Sequence, residues 1–371
     1  MLDSLSESSN ASTSKSLMAL TGLSNLTNYK VPLHEIIPVA QARGVYTILD
    51  AAALAPTTRI SLRKTPVDSM AVSFYKMFGF PTGVGALVAR KKFLDILDRP
   101  WFAGGAVDLV QVPGVIATPA ECISSRFEVR TFAAVTKPKS YDILWLQEGT
   151  INYLTFPAVI AGINSLSKYI DMLPLRLSSL YHYLYNQLSL LRYPDTETPT
   201  VQILTGAPSL PSATPPHGYV LSFLVLNKKG EIVPLSHIEA LAARKGRDNL
   251  PTIAPTFKST PKHPNPIPHV LRTSNTSSST AVYEKPVVDL GRTERTIALR
   301  TGCACNPGGA AALLGIESYM QLVQPGATQR SLELVVGREL GVIRVSLGWV
   351  SDWSDVVAFI RFVKGIQEVV G

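Results

Sequence analysis

Cysteine is scarce in this sequence: Cys122, Cys303 and Cys305 are the three in 371 residues. That is too few for a disulfide framework and fits a reducing, cytoplasmic compartment. Cys303 and Cys305 form a C-x-C pair, but no His or Cys cluster supplies the further ligands of a zinc site, so no metal is expected. Uninterrupted apolar runs of ~18 residues are absent, which argues against a transmembrane helix and a membrane partner. The opening MLDSLSESSNASTSKS is Ser-rich and lacks the apolar core of a secretory signal. Charge is sparse as well, at 17% of residues, with 35 Lys+Arg against 27 Asp+Glu leaving +8. Without dense basic runs and interleaved aromatics, no nucleic-acid partner is expected. The mild basic bias suits phosphates and carboxylates equally well. No internal repeat is visible.

What is present is apolar bulk: 46% of the residues, enough to bury a core without disulfide or metal staples. The length predicts two or three domains, or one large domain with an appendage. VYTILD (45–50) reads as a short buried strand ending in a carboxylate, followed by a helix-like stretch. MAVSFYK (70–76) and GALVAR (85–90) read as strands joined by the turn-rich FGFPTGVG. This rhythm is that of an α/β sheet layered with helices. Residues 17–30 carry mixed signals. Residues 151–193 predict two helices with a break near Pro174. YVLSFLVL (219–226) predicts a strand buried on both faces, and 236–247 a helix. Pro251, Pro255, Pro261, Pro264, Pro266 and Pro268, then a Ser/Thr run, mark 251–286 as an extended insertion. IRVSLGW (343–349) predicts a final strand. Asp355–Val369 predicts an amphipathic helix with Val356, Phe359, Ile360 and Val363 on one face.

Few residues stand out chemically. Lys76 ends an apolar strand among Phe74, Tyr75 and Phe78. Spacing alone leaves two readings: a lysine snorkelling to water, or a desolvated amine that attacks an aldehyde. Asp50 ends the preceding strand, and ligands in open α/β sheets gather beyond the carboxyl ends of strands. It is either a helix N-cap or a ligand group. An amine and a carboxylate facing one crevice match the needs of pyridoxal 5′-phosphate: one for the aldehyde, one for the ring nitrogen. LRTGCACNPGGAA (299–311) is a Gly-rich loop able to present a thiolate, or else a tight turn. Arg344, lone on an apolar strand, either makes an internal salt bridge or grips a carboxylate.

Five segments resemble the class V, NifS-like fold of cysteine desulfurases, and more closely the N-terminal domain of eukaryotic, fungal-type molybdenum cofactor sulfurases. They are LDAAALAPT (49–57), SFYKMFGFPTGVGALVAR (73–90), EGTINYL (148–154), LRTGCACNPGGAA (299–311) and IRVSLGWVSDWSDV (343–356), in the family's order. The resemblance implies a mostly parallel central sheet with helices and a smaller C-terminal α+β domain. It places the partial cofactor-binding domain at 17–155, after a 1–16 tail, and the smaller domain at 156–371. It makes Lys76 the cofactor-linked lysine and Asp50 the partner of the pyridine nitrogen. Ser73 becomes a phosphate-binding hydroxyl, and Thr150 a residue reaching the partner subunit's cofactor, hence a homodimer. Tyr75 stands where simpler desulfurases carry histidine, and Ala53 where they carry glutamine. Cys305 becomes the persulfide-forming cysteine, and Arg344 the grip on the carboxylate of L-cysteine.

The implied activity is transfer of sulfur from L-cysteine through a Cys305 persulfide to the molybdenum cofactor. The alternatives are a stand-alone cysteine desulfurase with another acceptor, and an inert remnant that only dimerises or binds partners. The sequence departs from the family in three ways. The family's early Gly/Ser/Thr phosphate turn is not found before Asp50. Residues 129–147 interrupt the family pattern. The C-terminal domain that receives the molybdenum cofactor does not follow Gly371. A truncated chain is therefore expected.

Overall fold

The computed structural model describes residues 15–97, 107–114, 116–119, 152–243 and 297–370. Thr150, Cys122, the expected insertion 129–147 and the Pro-rich stretch 251–286 lie outside the described residues.

The first sheet has four strands in the order β1 (Leu17–Thr21), β2 (Tyr46–Asp50), β3 (Ser69–Ser73), β4 (Gly85–Ala89). β1, β2 and β3 run parallel, with Thr21 opposite Asp50 and Asp50 opposite Ala71. Parallel neighbours need a crossover, and helix α1 (Leu33–Ala42) supplies the first one. It buries Leu33, Ile37 and Ala40 at helical spacing. β4 returns antiparallel, with Ser73 opposite Gly85. Gly85 is required there, because a Cβ would lie 2.5 Å from the Val72 carbonyl oxygen. Leu23, Leu49, Leu54 and Val67 fill the core beside this sheet.

Three local expectations need correction. The strand expected over 70–76 ends at Ser73, and a one-turn helix α2 (Phe74–Phe78) follows. Phe74 takes the buried position of that turn, so Lys76 is exposed on a helix and not desolvated at a strand end. The helix-like stretch after Asp50 is a series of turns. The mixed signals of 17–30 contain β1, whose ladder Ser16 extends by accepting a hydrogen bond from Tyr46 N–H at 3.0 Å.

Beyond the short helix α3 (Lys91–Leu94) and the small hairpin β5 (Val107–Val110) and β6 (Ala117–Pro119) lie the two long helices α4 (Phe156–Ser167) and α5 (Leu173–Ser189). Pro174 sits in the first turn of α5, where its missing N–H costs nothing. A second, antiparallel sheet has the order β7 (Val201–Ile203), β8 (Val220–Val225), β9 (Ile343–Ser346). β8 is buried on both faces, as its apolar run predicts. Helix α6 (Leu235–Ala243) follows it, and α10 (Trp353–Val370) closes the chain, burying Val356, Phe359, Ile360, Val363 and Ile366. Leu177, Tyr181, Leu184 and Leu188 of α5 meet them in one core around Phe223. Between α6 and β9 stand α7 (Pro307–Leu314), α8 (Glu317–Met320) and α9 (Gln329–Val336).

The segment after β1 leaves the first sheet and docks on the second. Asn28 donates to Gly218 O at 3.0 Å and accepts from Val220 N–H at 2.9 Å. Ser222 Oγ donates to Leu26 O at 2.7 Å. Among the described residues no helix is long and apolar enough to cross a membrane.

Candidate active site

Asp50 and Ser73 end neighbouring parallel strands, on the carboxyl edge where α/β sheets collect ligands. Asp50 Oδ1 accepts from Ala52 N–H at 2.9 Å, so it organises a turn and caps no helix. Ser73 precedes α2, yet its hydroxyl makes no capping bond. Tyr75 and Lys76 follow on α2 with exposed side chains. An amine and a carboxylate thus share one sheet edge, and that donor set fits pyridoxal phosphate: Lys76 for its aldehyde, Asp50 for its ring nitrogen.

The second half of the site comes from β9 and the loop before α7. Arg300 pairs with Arg344 through both backbone bonds, Arg300 N–H to Arg344 O at 3.0 Å and Arg344 N–H to Arg300 O at 2.7 Å. Gly302 and Gly341 touch backbone to backbone, where a Cβ on Gly341 would lie 2.4 Å from the Gly302 Cα. Ala304 and Cys305 then adopt φ of +49° and +60°, the left-handed region that L-residues enter at a cost. Side chains hold that turn. Asn25 Nδ2 donates to Ala304 O at 2.8 Å, Asn306 Nδ2 donates to Asn25 Oδ1 at 3.3 Å, and Asn306 Oδ1 caps α7 at Gly309 N–H. The result is an exposed Cys305 thiol 3.7 Å from Arg300 Nη2. Cys303 faces elsewhere, lining an apolar cavity with Ala310, Leu314 and Leu332.

Arg344 is half-buried. Its Nη1 donates to Asn25 O at 3.2 Å, while its buried Nε–H has no partner among the described residues. No carboxylate among the described residues pairs with it. Burial is the main cause that weakens Arg344's hold on its proton, and the like charge of Arg300 adds to it. The Cys305 and Tyr75 side chains act electrostatically in the opposite direction. Tyr75, beside Lys76, is thereby within electrostatic reach of the guanidinium. An unpaired buried N–H costs about 1–3 kcal/mol and is an opening for an anionic ligand.

Asp50, Ser73, Tyr75 and Lys76 therefore lie at or just beyond the carboxyl ends of β2 and β3, and Cys305 and Arg344 lie on either side of Arg300. Arg300 and Asn25 were not legible as site residues. Arg300 lies in the same LRTGCAC run as Cys305, which is a usable signal, whereas nothing local marks Asn25. Among the described residues no group of three or more His, Cys, Asp or Glu is placed to hold a metal.

Residues 2–137 match the class-V aminotransferase family. The bovine molybdenum cofactor sulfurase is 26% identical over 332 residues, 88% of this chain and 30% of that protein. The Chaetomium globosum molybdenum cofactor sulfurase is 27% identical over 359 residues, 94% of this chain and 37% of that protein. The chain thus spans about a third of the length of these curated relatives. Among solved structures, the cysteine desulfurase CsdA of Escherichia coli matches with a TM-score of 0.57 at 18% identity, over 100% of this chain and 63% of its own. The apo cysteine desulfurase of Thermococcus onnurineus matches with a TM-score of 0.53 at 17% identity, over 95% and 60%. The expected α/β fold is thus the observed one: the chain has the fold of the cysteine desulfurases, and its sequence is similar to molybdenum cofactor sulfurases at 26–27% identity.

Proposed function

We propose that the chain binds pyridoxal 5′-phosphate and moves sulfur from L-cysteine onto Cys305, for delivery to the molybdenum cofactor. The observation that carries this reading is the Nε–H of Arg344, without a partner among the described residues, on the strand paired with Arg300, whose guanidinium meets the exposed Cys305 thiol. A guanidinium with a free donor is suited to the α-carboxylate of an amino acid, and it orients the substrate's sulfur toward the thiol.

When bound, pyridoxal phosphate supplies an electron sink for the bonds at the substrate's α-carbon. Lys76 would hold its aldehyde and move the substrate's α-proton. Asp50 would hold the proton on the ring nitrogen. Ser73 would donate to the phosphate, with Tyr75 beside the ring and Thr150 reaching the cofactor of a second subunit. The net change is balanced: cysteine and the Cys305 thiol give alanine and the Cys305 persulfide. One Cβ–S bond breaks, one S–S bond forms, and Cβ gains one of the two thiol protons. The division into a cofactor-binding part at 17–155 and a smaller part at 156–371 belongs to the same proposal, as does a homodimer. Leu154, Ile160 and Ile163, on α4 and its approach, are 79%, 60% and 42% exposed and supply an apolar face for a second copy. The likeness of fold to cysteine desulfurases favours one second reading, a desulfurase that passes its persulfide to another acceptor.

The test is turnover of L-cysteine by the chain loaded with pyridoxal phosphate. Alanine and sulfur on Cys305 are the expected products, both lost in Lys76→Ala. Cys305→Ala is expected to lose the persulfide and at least tenfold in alanine. No alanine from a chain that holds the cofactor would overturn the proposal and leave a binding scaffold.

A further inference from the structure

We propose that Arg300 holds the sulfur of Cys305 as an anion, first as the attacking thiolate and then as the terminal sulfur of the persulfide. The inference rests on the transfer reaction proposed above and names a residue of that step.

The contact is direct: Arg300 Nη2 lies 3.7 Å from Cys305 Sγ. The Arg300 side chain is exposed, and no acidic side chain among the described residues pairs with it. Its place in the ladder does not need a guanidinium, because both bonds to Arg344 are made by backbone atoms. Like charges directly opposite each other across a ladder are destabilising. Arg300 stands opposite Arg344 and their charges act on each other. An anion at Cys305 offsets that repulsion, since its sulfur lies within hydrogen-bond distance of Arg300 and its charge acts favourably on Arg344. The left-handed turn at Ala304 and Cys305, tied by Asn25, fixes the thiol at that point. A persulfide carries its charge on the terminal sulfur, so the same guanidinium serves before and after transfer. Arg344 stays available for the substrate through Nε.

The test reads the local charge at Cys305 without cofactor or substrate. The full chain carrying Cys303→Ser is alkylated at one pH with iodoacetate and, separately, with the neutral iodoacetamide, and Cys305 labelling is followed by mass spectrometry. The ratio of the two rates cancels exposure and the thiolate fraction and reports how strongly the site attracts an anion. Arg300→Gln is expected to lower the ratio roughly fivefold, the size of one charge acting at about 4 Å in a water-like medium, and Arg300→Lys to restore most of it. An unchanged ratio in Arg300→Gln, with a native circular dichroism spectrum, overturns the inference. Should that variant fail to fold, Arg300→Lys and salt serve instead: the ratio must survive the lysine and fall with added salt, and a ratio indifferent to salt overturns it. Failure here leaves the transfer reaction standing, and failure of turnover leaves this ratio readable.

Discussion

Asn25 joins three parts of the site. Its amide reaches the Ala304 carbonyl, its Oδ1 receives Asn306, and its own carbonyl receives Arg344. Asn25→Ala removes both side-chain bonds at a point where the backbone is held in the left-handed region. Each bond contributes about 1 kcal/mol net, so a loss of roughly 1–2 kcal/mol is expected by urea denaturation. Amide exchange at residues 302–306 should rise with it, and unchanged exchange would show that the turn holds itself. Lys76, Asp50 and Arg344 stand out in the sequence as charged groups in or at the end of apolar runs, and Cys305 as a thiol in a Gly-rich loop. Asn25 does not, since its partners lie 279, 281 and 319 residues away. The exposure of Lys76 was also hidden, because nothing in SFYK marks where strand gives way to helix.

Among the elements, α2 is the one through which packing reaches the chemistry. Phe78, two residues beyond Lys76, lies against α4 at Gly162, where a Cβ would come within 2.3 Å of the Phe78 ring. Gly162→Ala improves helix propensity by about 1 kcal/mol but forces the ring to move, and overpacking costs about 1–3 kcal/mol. The expected outcome is equal or lower stability together with several-fold weaker binding of pyridoxal phosphate, measured by absorbance titration. Unaltered affinity would mean that the ring yields without moving α2. Strands β2, β4, β8 and β9 and helices α4, α5 and α10 were legible from apolar periodicity. β1 was not, since five residues of LMALT with alternating exposure beside a polar loop give too short a period to read.

For the whole molecule, the largest core carries a pH signature. Tyr181 is fully buried, and its hydroxyl donates to Val220 O at 3.1 Å. Burial, the dominant cause, pushes its pKa up to about 12, and burial raises Tyr219 as well. The unfolded chain ionises these phenols near pH 10 while the folded chain does not. Their contribution is therefore whole below about pH 10 and is lost as pH rises toward 12. Denaturation midpoints should fall over that range, and Tyr181→Phe should flatten the slope; an equal slope in the variant would contradict this. The general α/β class was legible from the order of apolar runs, whereas the second, antiparallel sheet was not. The docking of residues 22–30 on the second sheet was not, because it depends on Asn28 and Ser222 pairing across 190 or more residues.

The central claim is that one sheet edge, carrying Lys76 and Asp50, holds pyridoxal phosphate next to Cys305. Its most direct test is the visible absorption spectrum of the purified chain with added pyridoxal phosphate, beside that of Lys76→Ala. A band above 400 nm, typical of the cofactor linked to a lysine, is expected in the chain and absent from the variant. A folded chain by circular dichroism with no such band, or with one that survives in Lys76→Ala, would contradict the account.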